Sequence, residues 1–178
     1  MKKNLRKKLI SIRKKNYLEI SSNFSYNIFE FLKKFQNIQI IGGYIPINYE
    51  FDCLNLLKFL EKKKYYISLP VIKNSSQMNF YRYSFADPLK LNKLGIQEPF
   101  KTVNKVVPDL IFVPLVGFDG NLNRLGYGGG FYDRYFQRNT TLKQIVKIGL
   151  AFSFQKIKKL PVNKYDKKLD LIITEKNI

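Results

Sequence analysis

The sequence predicts an α/β protein of three layers, α/β/α, with helices on both faces of a mainly parallel sheet. Three observations carry the prediction. The strand-like runs are short and continuously apolar rather than alternating, as in strands buried on both faces. They alternate along the chain with segments of helical period. No linker, repeat or low-complexity stretch divides the 178 residues, so residues 1–178 are expected to form a single domain.

The elements follow in order. Leu5, Leu9 and Ile12 lie at i, i+4 and i+7, with Lys2, Lys3, Arg6, Lys7, Lys8, Arg13, Lys14 and Lys15 in other positions, which predicts an amphipathic basic helix. Phe24, Ile28, Phe31, Leu32 and Phe35 predict a second helix, with Ser21 or Ser22 as its cap. The period then changes. Ile38 to Ile45 is apolar and β-branched and is stopped by Pro46, which predicts a buried strand. Asp52 can cap a helix carrying Leu54, Leu57, Phe59 and Leu60. Strands are expected over Tyr65 to Val71 and over Met78 to Tyr83, the latter with two unlike faces. Pro88 to Pro99 reads as irregular, with a turn of helix before Gly95. Leu110-Ile111-Phe112-Val113 is a strong buried strand, followed by a glycine-rich loop and a helix from about Gly129 to Arg138. Ile145 to Phe152 and Leu169 to Thr174 supply the last strands, separated by a Lys-rich turn and Pro161.

Composition narrows the chemistry. No apolar run approaches the roughly 18–20 residues of a membrane helix, and the basic N-terminus precedes no uninterrupted signal core, so a cytoplasmic protein without membrane contact is expected. Cys53 is the only cysteine and histidine is absent, which excludes intramolecular disulfides, His-based triads and His-liganded metals. Any chemistry falls to carboxylates, Lys, Arg, Tyr, hydroxyls, backbone amides or a bound cation. The formal charge is +19, from 32 Lys+Arg against 13 Asp+Glu. Its make-up of 26 Lys, 6 Arg, 16 Asn and 2 Ala follows AT-rich codons, so most of the charge reads as drift on a solvated surface. Attraction of an anionic small substrate and a nucleic-acid surface are the alternatives.

The informative stretch is Gly120-Asn121-Leu122-Asn123-Arg124-Leu125-Gly126-Tyr127-Gly128-Gly129-Gly130-Phe131-Tyr132-Asp133, between a buried strand and a helix. Open α/β sheets place ligands there, at the carboxyl ends of their strands. Four glycines within five residues let backbone N–H groups converge on an anion, and the next helix N-terminus adds partial positive charge. Arg124 offers a forked donor to phosphate oxygens, and Asp133 is the candidate carboxylate for an accompanying magnesium ion. The stretch is neither a Walker loop nor a GxGxxG dinucleotide fingerprint. A plain strand-to-helix turn is the competing explanation.

This stretch resembles the Asn-Arg-Leu-Gly-x-Gly-x-Gly-Tyr-Tyr-Asp signature of the 5-formyltetrahydrofolate cyclo-ligases, with Phe131 in place of the first Tyr. Lys2-Lys3-Asn4-Leu5-Arg6 resembles the family's N-terminal Lys-x-x-x-Arg element. Ile45 to Asp52 resembles a segment holding a substrate-contacting glutamate, here Glu50, and Leu160-Pro161 with Asp166 and Asp170 resembles its C-terminal pattern. The resemblance covers essentially the whole chain.

It implies a Rossmann-like fold of the NagB/RpiA/CoA-transferase type and a monomer. It implies an enzyme that uses ATP as co-substrate and Mg2+ to turn 5-formyltetrahydrofolate into 5,10-methenyltetrahydrofolate, ADP and phosphate. It also implies site residues. Arg124 and Tyr132 would be catalytic. ATP would be bound by Lys2, Lys3, Asn4, Leu5 and Arg6, and by Arg124, Leu125, Gly126, Tyr127, Gly128, Gly129, Gly130, Phe131 and Tyr132. The folate would meet Ile45, Glu50, Tyr127, Gly128, Gly130 and Phe131. Asp133 and Asp166 would hold the metal. Phe131 lacks the hydroxyl of the family's Tyr and can only pack. The reading from a different class is a basic nucleic-acid-binding module, against which stand the scarcity of Arg and the otherwise unexplained glycine loop.

Overall fold

Alternation along the central strands fixes the layers. The computed structural model describes residues 2–74, 76–100, 103–139 and 143–178. In chain order the elements are α1 (Lys2–Lys15), α2 (Ser22–Leu32), β1 (Ile40–Gly42), α3 (Leu54–Lys62), β2 (Tyr66–Ile72), β3 (Met78–Tyr83), β4 (Leu89–Leu91) and β5 (Gln97–Pro99). They continue with β6 (Lys105–Val106), β7 (Leu110–Pro114), β8 (Gly117–Phe118), β9 (Arg124–Leu125), α4 (Phe131–Asn139), β10 (Val146–Ala151) and β11 (Leu171–Thr174). In β7, Leu110 and Phe112 face a core shared with α2 and α3, while Ile111 and Val113 face a second core shared with α4. Both faces are therefore covered, which is why the run is apolar at every position.

The main sheet has the order β11-β10-β7-β1-β2-β3-β6. From β11 to β2 every neighbour is parallel, and β3 is antiparallel to β2 and β6. This is the predicted three-layer α/β architecture. A third, smaller core forms where Leu9 of α1 packs with Val116, Leu125 and Leu160 beyond the carboxyl edge of the sheet. Among the described residues no helix is long and apolar enough to cross a membrane.

Several local expectations change. β1 is only three residues long, because after Gly43 donates to the Ser68 carbonyl the chain leaves the ladder toward Pro46, which has no N–H to give. Pro88 to Pro99 is not irregular and holds no helical turn. It is a β4–β5 hairpin with Leu89 opposite Pro99, its turn closed by the Asn92 side-chain oxygen accepting from Leu94 and Ile96 and by Gly95 at φ 73°. The Asx geometry outcompetes a helical turn there. β3 does not have two unlike faces, since only Arg82 is exposed along it. The caps agree better: the Ser21 hydroxyl accepts from Asn23 N, and Asp52 accepts from Leu54 N at 2.8 Å, one residue ahead of the N-cap position at Cys53. α4 starts at Phe131 rather than Gly129, because Gly130 sits at φ 65°, outside the helical region.

Candidate active site

The site lies where the sheet's connections diverge. The chain leaves β1 for β2 on one side of it, and leaves β7 for β10 on the other, so the carboxyl ends of β1 and β7 open a crevice between them. A cleft of about 790 Å³ occupies it. Its walls are the segment after β1 (Tyr44, Ile45, Ile47, Glu50), the glycine loop after β7, the start of α1 (Lys2, Arg6), the β4–β5 turn (Asn92, Leu94, Ile96) and the segment of Asn163, Tyr165 and Asp166.

The β8–β9 hairpin positions Arg124. Its pairing sets Phe118 opposite Arg124, and its turn is organised by Asp119, whose carboxylate accepts from the N–H groups of Asn121, Asn123 and Leu160 and from the Asn123 amide. Burial alone would raise the Asp119 carboxyl, but these donors outweigh it and hold it below the usual carboxylate range. Asp119→Ala should therefore cost about 3 kcal/mol, because buried donors lose a charged acceptor. A carboxyl depressed on folding stabilises above its unfolded value near 4, and loses that contribution as pH falls through the folded value. Urea titrations should find the deficit of the variant at pH 7 and find it narrowed below about pH 4. An unchanged midpoint at pH 7 would refute the role.

Arg124 is almost fully buried, with its side chain 5% exposed, and its Nη2 donates to Asp133 Oδ1 at 2.8 Å. Its Nε is buried and has no hydrogen-bond partner among the described residues. The guanidinium also lies 5.7 Å from the centre of the Tyr132 ring. Gly128, at φ 105°, lets the loop pass against Arg6, whose guanidinium carbon would lie 3.3 Å from a Cβ built there. Arg6 Nε in turn donates to the Gly126 carbonyl at 2.7 Å. On the outer side, Arg134 donates to the Gly129 carbonyl at 2.7 Å and to the Ser76 carbonyl at 2.8 Å. The glycine loop is thus bracketed by three guanidinium groups.

Helix α1 closes the remaining side. Lys2 Nζ pairs with Asp166 Oδ2 at 2.6 Å. Lys3 and Asn4 are exposed and Leu5 packs into the third core, so none of these three lines the cleft. Arg13, expected on the solvated basic face, is instead completely buried. The Leu5–Leu9 stripe at a spacing of four continues to Arg13, and that register was the available signal for its burial.

Glu50 is buried and lines the cleft. Burial pushes its carboxyl up to about 7, against the opposing pull of the Ile47 N–H, the Arg13 charge and a hydrogen bond with Tyr127. Burial also raises Tyr127 to about 12, and it raises Tyr132, Tyr44 and Cys53 well above their ordinary values, so these groups stay protonated at neutral pH. Cys53 is inert core, with its thiol donating to the Tyr44 carbonyl.

Asp133 and Asp166 both face the cleft, but each already holds a cation. Asp133 Oδ1 also accepts from Lys167 N at 3.0 Å. Among the described residues no cluster of three or more His, Cys, Asp or Glu ligands forms. That donor set suits magnesium delivered on phosphates, which asks for one or two carboxylates, and not a cation caged by protein alone. The sequence-implied residues Lys2, Arg6, Ile45, Glu50, Arg124 to Asp133 and Asp166 thus meet in one cleft. Arg13, Arg134 and the β4–β5 turn carry no such signal in the sequence, the first two because most of their partners, the Asn48, Leu115 and Ser76 carbonyls and the Tyr127 hydroxyl, lie far away along the chain.

Comparisons with known proteins identify relatives of the whole chain. A family model described as the 5-formyltetrahydrofolate cyclo-ligase family matches residues 1–175. The 5-formyltetrahydrofolate cyclo-ligase of Haemophilus influenzae is 37% identical over 71% of this chain and 70% of its own length. That of Mycoplasma genitalium is 31% identical over 97% of this chain and 96% of its own. Among solved structures, a 5,10-methenyltetrahydrofolate synthetase from Mycoplasma pneumoniae superposes with a TM-score of 0.75 at 27% identity, covering 98% of each chain. One from Aquifex aeolicus superposes with a TM-score of 0.75 at 32% identity, covering 99% of this chain and 90% of that one. A match of this extent in sequence, together with the same fold over the full superposed length, makes this chain a member of the 5-formyltetrahydrofolate cyclo-ligase family.

Proposed function

We propose that the cleft carries out the ATP- and magnesium-dependent conversion of 5-formyltetrahydrofolate to 5,10-methenyltetrahydrofolate. The observation that supports this best is the division of one cleft into two chemistries. Lys2, Arg6, Arg124 and the glycine loop offer cations and N–H groups for a phosphate chain. In the same cleft, Ile45 offers an apolar contact and Glu50 an acceptor for ring N–H donors.

In this reading the formyl oxygen takes the γ-phosphoryl group of ATP and ADP leaves. N10 then attacks the formyl carbon, the carbon–oxygen bond breaks, and phosphate departs with the former formyl oxygen. Such a transfer depends on positioning and charge neutralisation, and so needs no histidine. Arg124 stabilises charge on the transferred group, and Tyr132 beside it positions the substrate. Leu125 to Phe131 cradle the nucleotide, while Tyr127, Gly128, Gly130 and Phe131 border the folate. Lys2 and Arg6 carry the contact from α1, to which Lys3, Asn4 and Leu5 contribute the helical frame. Magnesium would neutralise phosphate charge, and Asp133 and Asp166 are the residues that would hold it. We further read residues 1–178 as one catalytic unit, acting as a cytoplasmic monomer.

Purified protein mixed with 5-formyltetrahydrofolate and MgATP should develop the ultraviolet absorbance of methenyltetrahydrofolate. Absence of product while both ligands bind would overturn the reading.

A further inference from the structure

Arg13 has no place in the scheme above, yet among the described residues it is the cation the fold buries completely. Its hydrogen bonds run to Tyr127, which lines the cleft, and to Asn48 and Leu115, which lie next to the lining residues Ile47 and Pro114. Nε and Nη2 both donate to the Asn48 carbonyl, at 3.0 and 2.8 Å. Nη1 donates to the Leu115 carbonyl just beyond β7, at 3.0 Å, and Nη2 also donates to the Tyr127 hydroxyl of the glycine loop. One planar fork therefore ties α1 to the segment after β1, the segment after β7 and the glycine loop at once.

The segment it grips needs a brace. Asn48 and Tyr49 occupy the left-handed region at φ 49° and 61°, inside a turn in which Glu50 N donates to the Ile47 carbonyl at 3.0 Å. Two such residues in succession, one of them Tyr, persist only where the surroundings over-determine them. This turn aims Glu50: its Oε2 accepts from Ile47 N at 2.9 Å, and the carboxylate is also hydrogen-bonded to Tyr127.

We propose that Arg13 is a positioning residue for Glu50, holding the Asn48–Tyr49 turn and Tyr127 so that the carboxylate presents a fixed acceptor to the folate. The inference rests on the reading of Glu50 as the folate ligand. A lysine at this position keeps the charge but cannot occupy three corners of the fork. The groups that face Glu50 are Arg13 from α1, Tyr44 and Cys53 from the segment after β1, Tyr127 from the glycine loop and Tyr132 from α4. The four acids among them remain protonated near neutrality, so Arg13 supplies the charge that Glu50 feels.

The test compares Arg13→Lys, Arg13→Gln and Glu50→Gln with wild type by calorimetric titration of 5-formyltetrahydrofolate and of MgATP between pH 5.5 and 8.5, on samples shown to be folded by circular dichroism. Both Arg13 variants should bind the folate about 10- to 100-fold more weakly, with MgATP affinity changed less than about threefold. The acid limb of folate binding should move to higher pH in Arg13→Gln and stay in place in Arg13→Lys, because only the former removes the charge. Equal weakening of both ligands with an unmoved limb would reduce Arg13 to a structural residue and overturn the proposal, as would wild-type folate affinity in either variant. If Arg13→Gln fails to fold, Arg13→Lys decides by the folate-against-MgATP split alone. Failure of the underlying reading has a different signature: Glu50→Gln would then bind the folate as wild type does.

Discussion

Arg124→Ala should lower turnover by about three orders of magnitude, a loss typical of removing a guanidinium that neutralises a transferring phosphoryl group. The expectation follows from how the side chain is held. It is 5% exposed, fixed from one side by Asp133, and it keeps a buried Nε with no partner among the described residues. A buried donor without an acceptor is costly unless something fills the place, and an anionic ligand would do so. Arg124→Lys should recover only part of the activity, since an ammonium cannot hold Asp133 and reach a phosphate oxygen in the same plane. The measurement is kcat from methenyltetrahydrofolate absorbance at saturating ligands, beside a urea midpoint to confirm folding. Turnover within a few-fold of wild type in a folded Arg124→Ala protein would place the chemistry elsewhere.

Glu50→Gln should separate stability from function. The folded carboxyl lies at about 7 against an ordinary 4.5, with burial as the chief cause. Between these values the folded chain keeps a proton that the unfolded chain has released, so stability falls as pH rises through the window. Across it the group removes on the order of 3 kcal/mol, or about 5–10 °C in Tm for a chain of this size. Glu50→Gln has no such proton to lose. Relative to wild type its stability should therefore rise from pH 5 to pH 8, while its affinity for 5-formyltetrahydrofolate drops by about 100-fold through loss of a charged acceptor. Melting curves of both proteins at the two pH values check the first part and ligand titration the second. Parallel pH profiles of the two proteins would show that Glu50 is not the strained carboxylate described.

The basic charge takes a different form once the fold is known. Lys2 apart, the cations that organise the cleft are arginines: Arg6, Arg13, Arg124 and Arg134 all bond to the glycine loop or the segments beside it. Only 6 of the 32 Lys+Arg are Arg, so this clustering separates the cations of the cleft from the lysine excess better than net charge does. By position in the sequence Lys2, Arg6 and Arg124 stand apart, whereas Arg13 reads as one more charge of a basic helix. Four other carbonyl contacts explain why the rest escaped notice: Arg13 meets Asn48 and Leu115, and Arg134 meets Ser76 and Gly129, all but the last far away in sequence.

What the sequence determined by itself is what short-range physics controls. Continuous apolar runs meant strands covered on both faces, the Ser21 and Asp52 oxygens marked helix starts, and glycines beside Arg124 and Asp133 marked a loop that lines the cleft. Where local rules compete, the outcome was less legible, as at Asn92, whose side chain turns Pro88 to Pro99 into a hairpin. Only the tertiary structure decided that Lys2 meets Asp166, that the ends of β1 and β7 form one cleft, and that Arg13 is buried where its charge acts on Glu50. The physical reason is the range of the interactions. Periodicity and turn chemistry act within a few residues, whereas the burial of a charge depends on which carbonyls the completed fold brings to it.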